Sequence, residues 1–374
     1  MNDLHPGTPN EKSRVGGYTA VFGREGHQEE GEWHRIHGHD HAQDLLLSSF
    51  LPPLKNQHIF NDKTIVSYMI TFLSGGTGTP KLMQGYRTLI PDKEMTVIVN
   101  TAEDMWFSGS HLSPDLDTVM YLFAGLLDTK RWWGIQGDTT ITSDFLKKIG
   151  YPEPVTLGDQ DRAINIARAE MLRSGMTLTE ATQHLSSRLR CDATILPMCD
   201  TEVTTCIRSD GTEMHYQEYW VGHRGTVTID AIIRRCSEIP IATEQVIQAI
   251  RDADAVVIGP SNPVTSISPI LECEGVKEAL MDQFVVVISP FIGDVPVSGP
   301  AAELMLAWGM APNGQATYDL YKEFTDVFVQ DIRDPKPIEG AVCLDTLMTD
   351  VEASLALAEH IQNIIDTQKD LRNS

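Results

Sequence analysis

The sequence predicts an α/β fold, a Rossmann-like and mostly parallel sheet with a mixed α/β insertion or cap. Three observations predict it. Short apolar runs at 68–73, 95–100, 255–258, 284–289 and 326–330 have the length and β-branched content of buried strands. Helix-compatible stretches separate them, and such alternation implies parallel pairing. Loops bearing glycine, serine or asparagine follow three of these strands, at 74–79, 259–263 and 290–300. In an open parallel sheet such loops share the carboxyl edge, where ligands bind.

Residues 1–66 differ from the rest. They are polar, rich in Gly, His and Glu, and without sustained periodicity. They are expected to be a poorly ordered extension, with a short apolar element at 45–54. His34, His37, His39 and His41 can in principle take a metal, but chance histidines in a polar tail are the simpler reading. Residues 67–374 form the main domain, with 150–240 as the insertion or cap.

The first strand runs straight into Gly75, Gly76 and Gly78, and a helix starts near Thr79 with Pro80 in its first turn. Strand, glycine loop and helix start make a phosphate cradle. Glycine permits close backbone approach and positive φ, and the helix N-terminus presents unpaired N–H groups. Thr77 and Thr79 add hydroxyls and Lys81 adds charge. The Gly-Lys-Ser/Thr of a P-loop and the third glycine of a dinucleotide fingerprint are both missing.

The second strand ends in Asn100-Thr101-Ala102-Glu103-Asp104, an acidic turn placed where nucleotide folds hold a ribose. Ser113-Pro114-Asp115-Leu116-Asp117-Thr118 opens a helix, with Ser113 as its cap and Pro114 at its first position. Asp115 and Asp117 either complement the helix dipole or hold Mg²⁺ together with substrate phosphates. Residues 119–150 read as helical around an interruption, Lys130-Arg131-Trp132-Trp133-Gly134. Trp132 and Trp133 suit either a core or the wall of a planar ligand. Asp159 suits an N-cap, and Arg162 either faces a phosphate or stays structural. Residues 193–229 turn β-like, and a helix at 243–252 leads back to the strand 255–258. Helices begin again at Ala301 and Val351.

The net charge of −23 excludes non-specific nucleic-acid binding and argues against anionic membranes. A phosphate site in this chain must be local, built from backbone N–H groups, a few cations or a divalent metal. Six scattered cysteines and the lack of a long apolar run or signal pattern predict a reduced, cytoplasmic protein.

Several motifs occur together in order: Ser74-Gly75-Gly76-Thr77-Gly78-Thr79-Pro80-Lys81, the 100–104 and 113–118 segments, Arg131-Trp132-Trp133-Gly134, Leu157-Gly158-Asp159, Gly259-Pro260-Ser261-Asn262-Pro263 and Pro296-Val297-Ser298-Gly299-Pro300. From about Met69 onward the chain resembles the CofD family of phospholactyl transferases in deazaflavin coenzyme biosynthesis. The resemblance implies a donor, lactyl-2-diphospho-5′-guanosine or its enolpyruvyl analogue. The implied acceptor is Fo, 7,8-didemethyl-8-hydroxy-5-deazariboflavin, with GMP released. It also implies Mg²⁺, a homodimer and a Rossmann-like core.

Under that resemblance Gly75, Gly76, Thr77, Gly78, Thr79 and Lys81 bind the diphosphate. Asn100, Glu103, Ser261, Asn262, Ser298 and Gly299 bind the nucleotide. Asp115 and Asp117 hold the metal and serve catalysis. Asp117, Trp132, Trp133, Asp159 and Arg162 meet the acceptor. The alternative is a non-catalytic nucleotide-sugar-binding regulator of the related gluconeogenesis-factor branch. That branch has a Pro-Pro-Gly-Asp-type segment in place of Ser113–Asp117 and lacks Arg-Trp-Trp-Gly.

Overall fold

The structure, a computed structural model, describes residues 68–373. The expectations for residues 1–66, including the four histidines and the apolar element at 45–54, lie outside the described residues. Strand β1 (Ile70–Ser74) sits at the centre and is buried at every position. It pairs in parallel with β2 (Met95–Val99). A small hairpin of β3 (Met105–Phe107) and β4 (Ser110–Leu112) follows. β5 (Thr194–Pro197) then adds to the outer side of β2. A separate antiparallel sheet is built from β6 (Val203–Ser209), β7 (Thr212–His215) and β8 (Ala231–Cys236).

The chain then returns to the other side of β1 with β9 (Ala255–Ile258) and continues to β10 (Val285–Ile288). A two-residue ribbon, β11 (Phe291–Ile292) with β12 (Val295–Pro296), follows β10. β13 (Val327–Asp331) and β14 (Val342–Leu344) finish the sheet. The order is β14-β13-β10-β9-β1-β2-β5, with seven strands, all parallel. The chain winds outward from β1 through β2 to β5, then reverses to β9. That reversal leaves a crevice between the carboxyl ends of β1 and β9, where doubly wound sheets bind ligands.

Side chains alternate between two cores. Phe72, Val97, Val257 and Val286 face one core, whose helices include Gly78–Tyr86, Pro114–Phe123 and Val351–Asn373. Leu73, Ile98, Ile258 and Val287 face the other, against Glu244–Arg251 and Val276–Leu280. Both faces of the strands are covered, which is why they read as continuous apolar runs rather than alternating ones. Each such buried side chain contributes roughly 1.5–3 kcal/mol.

All five expected strands are present, each within two residues of its expected bounds. The two edge strands were not expected as parts of this sheet. β5 is four residues ending in proline, and β14 is three residues that are not fully buried. Neither carries the signature of a buried strand. β5 also divides the 150–240 region. The helices Asp159–Arg173 and Leu178–Arg188 precede it and the antiparallel sheet follows, so the region is not one continuous cap. Residues 119–150 hold only the end of the helix Pro114–Phe123 and the short helix Ile141–Lys148. Between them Gly125 adopts φ +69° and Trp132 φ +60°, conformations that no α-helix contains.

Candidate active site

The glycine loop occupies the crevice. Ser261, on the loop after β9, accepts a hydrogen bond from the Gly75 N–H at 3.0 Å. Its Oγ also lies 2.8 Å from Thr79 Oγ1 and 3.4 Å from the Thr79 N–H. A Cβ on Gly78 would stand 2.0 Å from the Pro260 carbonyl oxygen, and one on Gly76 would stand 2.4 Å from Asp115 Oδ1. The sequence reading allowed either positive φ or close approach as the reason for these glycines. Gly75, Gly76 and Gly78 are not among the positive-φ residues. Close approach is the reason.

Thr77 is the N-cap of the helix Gly78–Tyr86, and its side chain makes no capping bond. The first-turn N–H groups lie at the crevice end of that helix. Lys81, one turn in, is half-buried, and burial lowers its pKa. Its Nζ lies 5.5 Å from the centre of the Trp132 ring. Trp132 is half-buried, whereas Trp133 is exposed and stacks under Arg131.

Beside the loop lies a cluster of buried acids. Asp115 Oδ2 accepts from Asn100 Nδ2 at 2.8 Å, and Asn100 Oδ1 accepts from the Ala102 N–H at 3.0 Å. Burial pushes the Asp115 carboxyl up to about 7, although bonds from Asn100 and the Gly76 backbone hold it down. Glu103 accepts from Gln217 Nε2 at 2.8 Å. Burial and the charge of Asp115 raise its pKa well above the usual range. Asp104 is raised by burial as well, and takes the Ser113 hydroxyl at 2.7 Å. Ser113 does occupy the N-cap position, but its hydroxyl serves Asp104 instead of the helix.

Asp117 is different. It forms an ion pair with Arg168, whose side chain is fully buried. Arg168 Nη1 reaches Asp117 Oδ2 at 3.2 Å, the His111 carbonyl at 3.1 Å and Asn165 Oδ1 at 3.2 Å. The aspartates expected to act as a metal pair are therefore unequal. Asp117 has an internal counter-ion. Asp115 carries no cation partner among the described residues, and a carboxylate with a raised pKa in that state suits a bound cation. Among the described residues no three His, Cys, Asp or Glu side chains converge as a metal's ligand set would. Asp115 and substrate oxygens still fit the sparse protein coordination that Mg²⁺ accepts.

Other expected site residues are engaged within the protein. Asn262 Oδ1 caps the turn that follows it, accepting from the Val264 N–H at 2.9 Å. Asp159 is not the cap of its own helix, which is Gly158. Its carboxylate instead receives Thr139 Oγ1 at 2.6 Å and the N–H groups of Ile141 and Thr142, capping the neighbouring helix Ile141–Lys148. Arg162 is buried and paired with Glu153 at 2.8 Å. Ser298 and Gly299 are exposed.

Sequence reasoning passed over Arg168, Asn165, Asp161 and Gln217. A signal existed for three of them. Asp161, Asn165 and Arg168 recur at i, i+4 and i+7, which sets three polar residues on one helix face. All three are buried. Asp161 accepts from Tyr121 OH at 2.7 Å, and burial with the nearby charge of Asp117 pushes it up to about 6. Gln217 had no such signal, because its partner Glu103 lies 114 residues away.

A family model described as 2-phospho-L-lactate transferase CofD matches residues 70–352. The chain belongs to the CofD family. Among curated relatives, the 2-phospho-L-lactate transferase of Methanocorpusculum labreanum is 54% identical over 294 residues, covering 78% of this chain and 97% of that one. The protein of the same name from Methanospirillum hungatei is 52% identical over 300 residues, covering 80% and 100%. A solved structure from Bacillus halodurans, described as a UPF0052 family member, aligns with TM-score 0.45 and 17% identity over 77% of this chain and 89% of that one. The CofD match spans the sheet, the glycine loop and the acid cluster together. No helix of the described residues is long and apolar enough to cross a membrane.

Proposed function

We propose that this chain is a phospholactyl transferase acting on the two substrates of the family resemblance. The donor is a guanosine diphosphate carrying lactate or enolpyruvate, and the acceptor is Fo. The terminal ribityl hydroxyl of Fo attacks the phosphorus next to the lactyl group. A new P–O bond forms, the phosphoanhydride bond breaks, and GMP leaves with the bridging oxygen. The hydroxyl proton passes to solvent or to a nearby base.

The observation that carries this reading is the contact between the glycine loop and Asp115 at the β1/β9 crevice. First-turn N–H groups of the helix Gly78–Tyr86, the Thr77 hydroxyl and Lys81 cradle the diphosphate. Asp115 would hold Mg²⁺, which when bound would supply charge neutralisation for the phosphates. Phosphoryl transfer depends mainly on such positioning and neutralisation. Asp117, already neutralised by Arg168, fixes the start of its helix and thereby the direction of Asp115. Trp132, beside Lys81, offers a flat surface for the deazaflavin ring. The assembly is a homodimer.

The test is incubation of the purified full chain with Fo, Mg²⁺ and each donor in turn, followed by chromatography for GMP and phosphorylated deazaflavin. Product with either donor supports the reading. A protein that binds donor without releasing GMP refutes it.

A further inference from the structure

One residue gathers the tryptophan loop around itself. The loop lies between the helices Pro114–Phe123 and Ile141–Lys148 and carries Arg131, Trp132, Trp133 and Gly134. An antiparallel bridge of Leu127 with Ile135 closes its base, and the Gln136 N–H donates to the Leu126 carbonyl at 2.8 Å. Asp128 stands just inside that base. Its N–H donates to the Gly134 carbonyl at 3.0 Å. Its carbonyl accepts from the N–H groups of Arg131 at 3.2 Å and Trp132 at 2.8 Å. Its carboxylate accepts from the Lys130 N–H at 3.0 Å with Oδ1 and from Arg131 Nε at 2.7 Å with Oδ2. The Arg131 guanidinium lies over the Trp133 ring, 4.6 Å from its centre, so Arg131 is held from both sides.

What these bonds fix is the backbone of Trp132. At φ +60° it stands in the left-handed region, which a bulky aromatic residue keeps only where its surroundings impose it. Gly134, at φ +71°, turns the chain back towards the bridge. In this conformation Trp132 packs against the core that also covers β1, and its ring stands beside Lys81 Nζ at 5.5 Å. Lys81 lies one turn into the helix that follows the glycine loop. A right-handed φ at Trp132 would swing its Cα–Cβ bond round and take the indole away from Lys81. The carboxylate matters because its two oxygens meet two different donors. An amide could accept only one of them, since its nitrogen would face the other.

We propose that Asp128 is a positioning residue for the acceptor: it holds Trp132 left-handed, so that the indole meets the flat deazaflavin ring beside the diphosphate cradle. Asp128 acts through that ring and touches neither substrate. This inference rests on the reading of Trp132 in the preceding section and adds what sets that side chain in place.

The test is calorimetric titration of the full chain with Fo and, separately, with GDP and Mg²⁺ as a probe of the donor side. Asp128→Ala weakens Fo binding roughly tenfold and leaves GDP binding within about twofold, with circular dichroism unchanged. Asp128→Asn keeps an acceptor for the Lys130 N–H and loses the one for Arg131, and it weakens Fo binding roughly threefold. Trp132→Ala weakens Fo binding at least as much as Asp128→Ala. The double variant binds Fo no more weakly than Trp132→Ala alone, because the aspartate works through the missing ring. Fo binding that weakens with Trp132→Ala and not with Asp128→Ala overturns the inference and leaves the acceptor reading standing. Unchanged Fo binding in Trp132→Ala overturns both. Equal losses of Fo and GDP in Asp128→Ala, or additive losses in the double variant, make the loop general scaffold and overturn the positioning role. Should Asp128→Ala misfold, Asp128→Asn in the same cycle with Trp132→Ala decides.

Discussion

Two of the three loops at the carboxyl edge interlock, and the third does not. The loops after β1 and β9 share Ser261, with a hydrogen bond of 3.0 Å to Gly75 and a contact of 2.8 Å to Thr79. A single added Cβ at Gly78 would overlap the Pro260 carbonyl at 2.0 Å. The loop after β10 is anchored at Phe291, which packs in one cluster with Val264, but is open at its tip. Ser298 and Gly299 face solvent there. The difference separates two kinds of binding. Under the proposed function, a diphosphate that must be held still during transfer would meet a preorganised cradle. The nucleoside end, which needs only to be retained, would meet an adaptable rim.

Substitutions break or sharpen that comparison. The largest expected effect is at the acid beside the cradle. Asp115→Asn lowers turnover roughly a thousandfold, by removing charge where the transition state needs it, with the fold intact by circular dichroism. Asp117→Asn gives the contrasting result. It leaves the buried Arg168 guanidinium unpaired and lowers stability by roughly 3–5 kcal/mol in urea unfolding. Equal losses of activity and stability in both variants would erase the distinction between them.

Next comes Gly78→Ala. The new methyl must displace the Pro260 backbone, at a cost of roughly 1–3 kcal/mol, and turnover falls about a hundredfold. Unchanged kinetics would mean that the two loops are not interlocked in solution.

A smaller effect appears in the pH dependence of stability. The folded Asp115 pKa, about 7, is above the ordinary 3.8. The folded state then binds more protons than the unfolded one between those values, so this group costs stability as pH rises from about 4 to about 7. In urea titrations without Mg²⁺, Asp115→Asn removes that loss and is the more stable protein at pH 8, by on the order of a few kcal/mol. At pH 4 the two differ little. Identical curves would show that burial does not hold this proton. The smallest effect is at the rim, where Ser298→Ala changes the donor KM by no more than about threefold.

Most of the sheet was legible because buried parallel strands must be apolar on both faces, and β1, β2, β9 and β10 are. The glycine loop was legible because a strand, three glycines and a helix start lie contiguously in the chain. Its edges were not. β5 and β14 are short and take their place from neighbours rather than from their own composition.

The division runs deeper at the site. Sequence alone determined the fold class, the loops at the carboxyl edge and the candidate residue types, since each of these depends on local composition and spacing. Tertiary structure alone decided which aspartate is free. Asp115 and Asp117 stand two residues apart on one helix start, and their local settings look alike. What separates them is Arg168, brought from 51 residues away to neutralise Asp117. Asp115 accepts from Asn100 and a backbone N–H and, among the described residues, has no cation beside it. Charge interactions in a desolvated interior depend on distances of a few ångströms, and the chain sets those distances only once it has folded.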